Sequence, residues 1–119
     1  MRVLLVEDEG LVALLLEEML LNLGHEVTGR AQCIEEALQV AATADYGLAI
    51  LDINLNGVAS FPAAEIVRNR SIPIVFATGY RHSAIPLLFE GAVCLQKPFS
   101  KVELGSAIAA ALTPSRRSV

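Results

Sequence analysis

The sequence has few charged and few aromatic residues. Charged side chains make up 18% of the 119 residues, aromatic side chains make up 5%, and tryptophan is absent. Because 54% of the residues are hydrophobic, this composition excludes a disordered chain and favours one domain with a substantial core. Thirteen acidic residues outnumber nine lysines and arginines, so the sequence offers no basic footprint for nucleic acid.

Long apolar runs are also missing. The longest, residues 11–16, is far shorter than the roughly 18–20 residues that cross a bilayer. Residues 1–6 meet acidic residues too early for a signal peptide, so we expect a cytoplasmic protein with no membrane partner. The two cysteines, Cys33 and Cys94, lack a metal or redox spacing and are interpreted as reduced, packed thiols.

Strand and helix patterns alternate along the chain. Strand patterns cover residues 2–6, 25–29, 48–52, 72–77 and 92–96, of which 25–29 is weaker and half-exposed. Helical patterns cover residues 11–23, 34–42, 61–69 and 101–112. This alternation predicts an α/β fold, a doubly wound five-stranded parallel sheet in the order 2-1-3-4-5. Only residues 83–90 are available for the fourth helix, which is therefore expected to be short or irregular. One domain over residues 1–112 is expected, followed by a flexible C-terminal tail, 113–119.

Two of the helices carry more specific signals. In the first helix, we expect a broad inward face that contains Leu11, Leu14, Leu15 and Leu21. Gly24 is a suitable C-terminal cap for that helix. At the start of the last helix, Ser100 and Glu103 have the spacing of a capping box.

Polar residues follow four of the predicted strands, at the edge where parallel α/β sheets bind ligands. They are Glu7 and Asp8 after the first strand, Asp52 after the third, Thr78 after the fourth and Lys97 after the fifth. Carboxylates at this edge repel one another unless a cation lies between them, and Mg²⁺ prefers such oxygen ligands. Asp52 can act as a nucleophile that forms an aspartyl-phosphate, while Lys97 and Thr78 supply a positive charge and a hydroxyl.

In this order, the motifs resemble those of the receiver domain of bacterial two-component response regulators. They are Val6-Glu7-Asp8-Glu9, Leu51-Asp52, Thr78 and Lys97-Pro98-Phe99. The resemblance implies a flavodoxin-like fold and a phosphoprotein that accepts a phosphoryl group from a histidine kinase or a histidine phosphotransfer protein. It further implies Mg²⁺ as cofactor, a conformational switch or phosphate sink as function, and a protein as output partner. The domain would be a monomer or weak dimer and not an enzyme.

The resemblance also implies a metal-binding role for four residues. Asp52 matches the phosphoacceptor, which also ligates the metal. Asp8 matches the carboxylate that binds Mg²⁺ directly, and Glu7 matches an acidic residue that acts nearby, often through water. Asn54 matches the residue whose main-chain carbonyl ligates the metal.

Further matches concern the switch. Thr78 matches the hydroxyl that moves to bond the phosphoryl oxygen. Lys97 matches the lysine that pairs with this phosphoryl oxygen, and Pro98 matches a residue whose peptide bond is often cis. The motif FATGY, which ends at Tyr80, resembles the signature of an atypical subfamily that often lacks an output domain and works with kinases of the HWE class. Because Cys94 replaces the usual aromatic switch residue, we expect Tyr80 and the loop after it to be the moving part.

The residues leave three alternatives open. A pseudo-receiver would keep the fold as a binding module without being phosphorylated. An aspartate-nucleophile phosphatase would normally need a second acid two residues after Asp52, where this chain has Asn54. A calcium loop that starts at Asp52 would need a glutamate at its twelfth position, where this chain has Ala63.

Overall fold

Strands and helices alternate along the part of the chain that the computed structural model describes, namely residues 1–79, 89 and 91–113. The strands are β1 (Arg2–Val6), β2 (Glu26–Ala31), β3 (Leu48–Asp52), β4 (Asn54–Leu55), β5 (Val58–Ala59), β6 (Ile74–Thr78) and β7 (Val93–Gln96). The helices are α1 (Gly10–Asn22), α2 (Ile34–Thr43), α3 (Phe61–Asn69) and α4 (Lys101–Leu112). The short helix expected over residues 83–90 lies outside the described residues, apart from Phe89.

Five parallel strands form the main sheet, in the order β2-β1-β3-β6-β7. This is the predicted 2-1-3-4-5 order, and the flavodoxin-like class is confirmed. All five residues of β3 are buried, as expected for a central strand covered on both faces. Leu51 lies opposite Val6 of β1, and Asp52 lies opposite Ala77 of β6. The carboxyl ends of these strands are therefore level at one edge of the sheet.

Alternating side chains of the central strands build a core on each face of the sheet. Val3 and Leu5 of β1 pack with buried residues of α1 and α4, whereas Leu4 and Val6 pack with those of α2 and α3. Burying each large apolar side chain contributes about 1.5–3 kcal/mol. The two cores hold the sheet between two helical layers and fix the position of its carboxyl edge.

The predicted inward face of α1 is wrong. Leu11, Leu14, Leu15 and Leu21 are between 51% and 73% exposed. The buried residues of this helix are Leu16 and Leu20. The predicted stripe also contains the charged Glu18, whereas the stripe through Leu16 and Leu20 carries no charge and can face the sheet. A row of leucines therefore lies on the solvent side of α1.

The helix ends follow the predicted signals. Gly24 has a φ of 88° just after α1, a conformation that glycine adopts without steric cost. The Ser100 hydroxyl accepts a hydrogen bond from the Glu103 amide, and the Glu103 carboxylate accepts one from the Ser100 amide. The thiols of Cys33 and Cys94 are free, but Cys94 is exposed on an edge strand rather than packed.

A small hairpin follows β3. Strands β4 and β5 pair in antiparallel fashion around Asn56 and Gly57. Both turn residues have positive φ, 52° and 86°, which is the combination of a type I′ turn. Leu55 is buried in the core on the α2 and α3 side and anchors the hairpin beside Asp52.

Candidate functional site

The candidate site lies where β1 and β3 end. Glu7 and Asp52 each come one position after the paired residues Val6 and Leu51, so their side chains lie next to each other at the sheet edge. The Glu7 amide donates a hydrogen bond to the carbonyl of Ala31, which extends the strand pairing up to this residue. Glu7 is 1% exposed and Asp52 is 7% exposed. Sheet pairing therefore places two carboxylates in a buried position.

Lys97 connects these two carboxylates. Its Nζ donates to Glu7 Oε1 at 2.5 Å and to Asp52 Oδ2 at 3.0 Å. Its main-chain amide donates to the carbonyl of Thr78 at 2.8 Å, which ties the end of β7 to the end of β6. Burial acts to lower the pKa of Lys97, but its hydrogen bonds to the two carboxylates outweigh burial and raise that pKa. The ammonium is therefore a permanent charge beside Asp52.

Glu7 has the most strongly displaced ionisation at this edge. Burial raises its pKa from 4.5 to about 7, and the nearby negative charge of Asp52 acts in the same direction. Hydrogen bonds from Lys97 and from the Glu9 amide act against this rise. Burial therefore disfavours the charged form of Glu7 more strongly than its hydrogen bonds favour that form.

Asp8 lies at the more open side of the same edge. Its Oδ2 accepts a hydrogen bond from the Asn56 amide at 3.0 Å. Partial burial acts to raise the pKa of Asp8, but hydrogen bonding to the Glu7 side chain and to the Asn56 amide holds it below the usual range. Asp8 is therefore an ionised carboxylate at the rim of the site.

Glu7, Asp8 and Asp52 together fit a divalent cation. Each offers a carboxylate oxygen, and these oxygens lie within 4.8 Å of one another. They adjoin a cleft of about 480 Å³, which is lined by Asp8, Glu9, Asp52, Asn54, Asn56, Gly79 and Lys97. Hard oxygen ligands next to an open, hydrated cleft are the donor set that Mg²⁺ prefers.

The structure brings most of the predicted site residues to this one edge. Thr78 ends β6 and is buried, and the peptide bond between Lys97 and Pro98 is cis. Asn54 belongs to β4, and its amide donates to Asp52 Oδ1 at 3.2 Å. Tyr80, the predicted moving part, lies outside the described residues.

One residue of the site, Asn56, was missed by sequence reasoning. Its amide contacts Asp8 although the two residues are 48 positions apart. The signal was available, because Asn-Gly between two short β-prone segments is the strongest local indication of a hairpin. The calcium-loop alternative gains no support, because Ala63 is fully buried within α3.

Residues 3–109 match the family model of the response regulator receiver domain. The phyllosphere-induced regulator PhyR of Methylorubrum extorquens is 32% identical, over 92% of this chain and 43% of its own length. The transcriptional regulatory protein PdtaR of Mycobacterium tuberculosis is 36% identical, over 97% of this chain and 58% of its own length. The solution structure of SdrG from Sphingomonas melonis Fr1 has a TM-score of 0.83 at 38% identity, and the match covers 94% of this chain and 96% of that one.

The doubly wound sheet with its acidic carboxyl edge defines a flavodoxin-like domain with a candidate cation site. The chain belongs to the family of response regulator receiver domains. Such domains are generally signalling modules rather than enzymes, and the chain spans about half the length of the curated relatives it matches. Among the described residues, no helix is long and apolar enough to cross a membrane. The narrower FATGY assignment stays a prediction.

Proposed function

We propose that this chain is a phosphoacceptor receiver that takes a phosphoryl group from a phosphohistidine onto Asp52. One observation carries the proposal. The Asp52 carboxylate lines an open cleft while it is bonded to Lys97 and lies within 4.8 Å of two further carboxylates. This arrangement combines a nucleophile, a fixed positive charge and a cation site at one sheet edge. The proposed receiver unit is residues 1–112, with residues 113–119 as a tail.

In the proposed step, a P–O bond to Asp52 forms as the P–N bond of the phosphohistidine breaks. The departing imidazole keeps the bonding electrons and takes up a proton from solvent. Lys97 neutralises charge on the phosphoryl oxygens, and its short bond to Glu7 fixes the position of its ammonium. The hydroxyl of Thr78, at the end of the adjacent strand, is the proposed partner for a phosphoryl oxygen.

Glu7, Asp8 and Asp52 would hold Mg²⁺ together with the main-chain carbonyl of Asn54. When bound, Mg²⁺ neutralises the carboxylates and the transferring phosphoryl oxygens. The open cleft leaves space for water and for phosphate oxygens. Asp8, Asp52 and Asn54 line that space, so three of the proposed ligands already adjoin it.

The exposed leucines of α1 are the proposed docking surface for the phosphodonor. Leu11, Leu14 and Leu15 lie on the half of α1 that follows directly from Asp8, so an apolar surface adjoins the cleft. Large exposed apolar patches mark protein interaction sites. The proposed occupant of this surface is a histidine kinase or a histidine phosphotransfer protein. The output is proposed to be a further protein contact.

Intact mass measurement after incubation with a small phosphodonor tests the proposal. The wild type is expected to gain one phosphoryl group in the presence of Mg²⁺, whereas Asp52→Asn gains none. Asp45→Asn is the matched control, because Asp45 is an exposed aspartate at the opposite edge of the sheet. It is expected to label as the wild type does.

Absence of an adduct on the folded wild type would instead support the pseudo-receiver alternative. Turnover of a generic phosphatase substrate that disappears in Asp52→Asn would support the aspartate-nucleophile phosphatase. Either result would contradict the proposed phosphoacceptor role.

A further inference from the structure

The hairpin beside Asp52 depends on an unusual backbone conformation. Asn56 and Gly57, the turn between β4 and β5, have φ angles of 52° and 86°. Glycine adopts positive φ freely, and asparagine tolerates it better than most residues with a side chain. The Gly57 amide also donates to Asn54 Oδ1 at 2.6 Å, which closes the turn from inside. The turn therefore has a defined shape although its two residues are exposed.

This shape directs one main-chain amide at the cation site. The Asn56 amide donates to Asp8 Oδ2 at 3.0 Å, which joins the hairpin to the end of β1. The hairpin itself is held by the buried Leu55 and by the Ser60 amide, which donates to the carbonyl of Ile53 at 2.8 Å. One oxygen of Asp8 is thus fixed by an element that has core and main-chain contacts of its own.

We propose that the Asn56–Gly57 turn is a positioning element for Asp8, which it preorganises for binding of a divalent cation. This inference rests on the proposed function. A hydrogen bond to one carboxylate oxygen restricts rotation of the carboxyl group. Partners that orient a ligand in this way typically change metal affinity by 10- to 100-fold when they are removed. The side chain of Asn56 is not required, whereas the positive φ of the turn is.

A series of substitutions at Gly57 tests this positioning role. Alanine at this position would meet no atom within 4 Å, so Gly57→Ala changes only the backbone preference. We expect Gly57→Ala to weaken binding of Mn²⁺, used as a paramagnetic substitute for Mg²⁺, by about 10-fold in a titration followed by electron paramagnetic resonance. Gly57→Asn, which tolerates positive φ, is expected to restore most of the affinity.

Gly24→Ala is the matched control for this series. Gly24 has a φ of 88° and no atom within 4 Å of an added Cβ, but it lies after α1 and away from the cleft. Its substitution introduces the same backbone strain and is expected to leave Mn²⁺ affinity unchanged. A drop in affinity equal to that of Gly57→Ala would assign the effect to general destabilisation and overturn the positioning role.

Hydrogen exchange of the metal-free protein gives a second readout. The Asn56 amide is expected to exchange about 10-fold more slowly in the wild type than in Gly57→Ala, because its bond to Asp8 is lost in the variant. Equal exchange rates, or equal Mn²⁺ affinities for the two proteins, would overturn the positioning role alone. A wild type that binds no Mn²⁺ would overturn the proposed function as well, so the two failures are distinguishable.

Discussion

The two ends of the central sheet differ in how they hold charge. At the carboxyl end, Glu7 and Asp52 are buried and share the ammonium of Lys97, with the carboxylate of Asp8 close by. At the amino end, Arg2 forms an ion pair with Asp45, and these side chains are 57% and 81% exposed. The carboxyl end is thus buried with an excess of negative charge, whereas the amino-end pair is balanced and hydrated.

The buried carboxylates of the carboxyl end are typical of a functional site, whereas the exposed ion pair of the amino end is typical of a protein surface. Like charges brought together out of water cost stability, and the raised pKa of Glu7 is the sign of that cost. An exposed ion pair contributes little in either direction. Displaced ionisation inside a cleft is typical of functional sites, because a ligand can supply the missing charge. The raised pKa of Glu7 thus supports the proposed binding of a cation and a phosphoryl group at the carboxyl end.

Removal of Lys97 should have the largest effect. Lys97→Met is expected to slow labelling of Asp52 by a small phosphodonor about 100-fold, because the main fixed positive charge beside the phosphoryl group is lost. The loss in folding stability should stay within about 1–3 kcal/mol, since Glu7 can take up a proton once its partner is removed. Time-resolved intact mass measurement gives the rate, and urea unfolding gives the stability.

Lys101→Met is the control for this experiment, because Lys101 is an exposed lysine at the start of α4. It should label at the rate of the wild type. If both variants labelled equally fast, the position of Lys97 in the site would have no bearing on transfer.

The pH dependence of stability should differ between the two ends through Glu7. The pKa of Glu7 is about 7 in the folded protein, against 4.5 for an ordinary glutamate. Between these values the folded state keeps a proton that the unfolded state has lost. Stability should therefore fall as the pH rises from about 4.5 to about 7, by up to about 3 kcal/mol. Urea unfolding at a series of pH values without divalent cations measures this slope.

Glu7→Gln should abolish the fall in stability with rising pH, because glutamine does not titrate. Glu26→Gln should retain that fall. Glu26 is an exposed glutamate near the amino end of the sheet. The lowered pKa values of Asp8 and Glu17 act the opposite way, but their contribution is lost only as the pH falls through those values. A free energy of unfolding that stays constant between pH 4.5 and 7 in the wild type would contradict the raised pKa of Glu7.

The strand ends of the site could be read from the sequence for a simple reason. An apolar run such as Leu48–Asp52 fits a central strand, and parallel strands must end at a common edge. Asp52 and Lys97 were therefore expected at the same edge of the sheet once the strand order was predicted. Local signals such as the capping box of Ser100 and Glu103 were equally reliable, because they involve residues within one turn.

Other features depended on contacts that a local pattern does not contain. Helix α1 is apolar on nearly all sides, so the spacing of its leucines allowed two inward faces. The uncharged face with Leu16 and Leu20 is the one that packs in the core. The contact between Asn56 and Asp8 joins residues 48 positions apart and needs the hairpin to bend toward β1. The raised pKa of Glu7 likewise follows from the combined burial of several groups rather than from any motif.

The leucines of α1 allow the two ends to be compared on a single helix. Leu14 lies on the half of α1 nearer the cleft, whereas Leu21 lies at the other end of the helix, close to Gly24. At 1.5 Å per residue, these two leucines are about 10 Å apart along the helix axis. Leu14→Glu should slow transfer from a phosphorylated kinase domain about 10-fold, because burial of one leucine contributes about 1.5–3 kcal/mol to docking.

Labelling by a small phosphodonor should be unchanged in Leu14→Glu, and so should folding stability, within about 0.5 kcal/mol. Leu21→Glu is the matched control and should slow transfer from the kinase domain less than Leu14→Glu does. Equal losses at the two positions would mean that docking covers the whole of α1 rather than its half beside the cleft.

The smallest effect is expected at the amino end. Arg2→Ala should lower the free energy of unfolding by no more than about 1 kcal/mol, because water already screens its bond to Asp45. The difference from the wild type should shrink in about 1 M salt, where charges are screened within about 3 Å. Urea unfolding of Arg2→Ala, Asp45→Asn and the double variant isolates the pair energy. A coupling above about 2 kcal/mol would show that this exposed pair is as strongly constrained as the buried charges of the carboxyl end. The contrast between the two ends would then come from the excess of carboxylates at the carboxyl end rather than from burial.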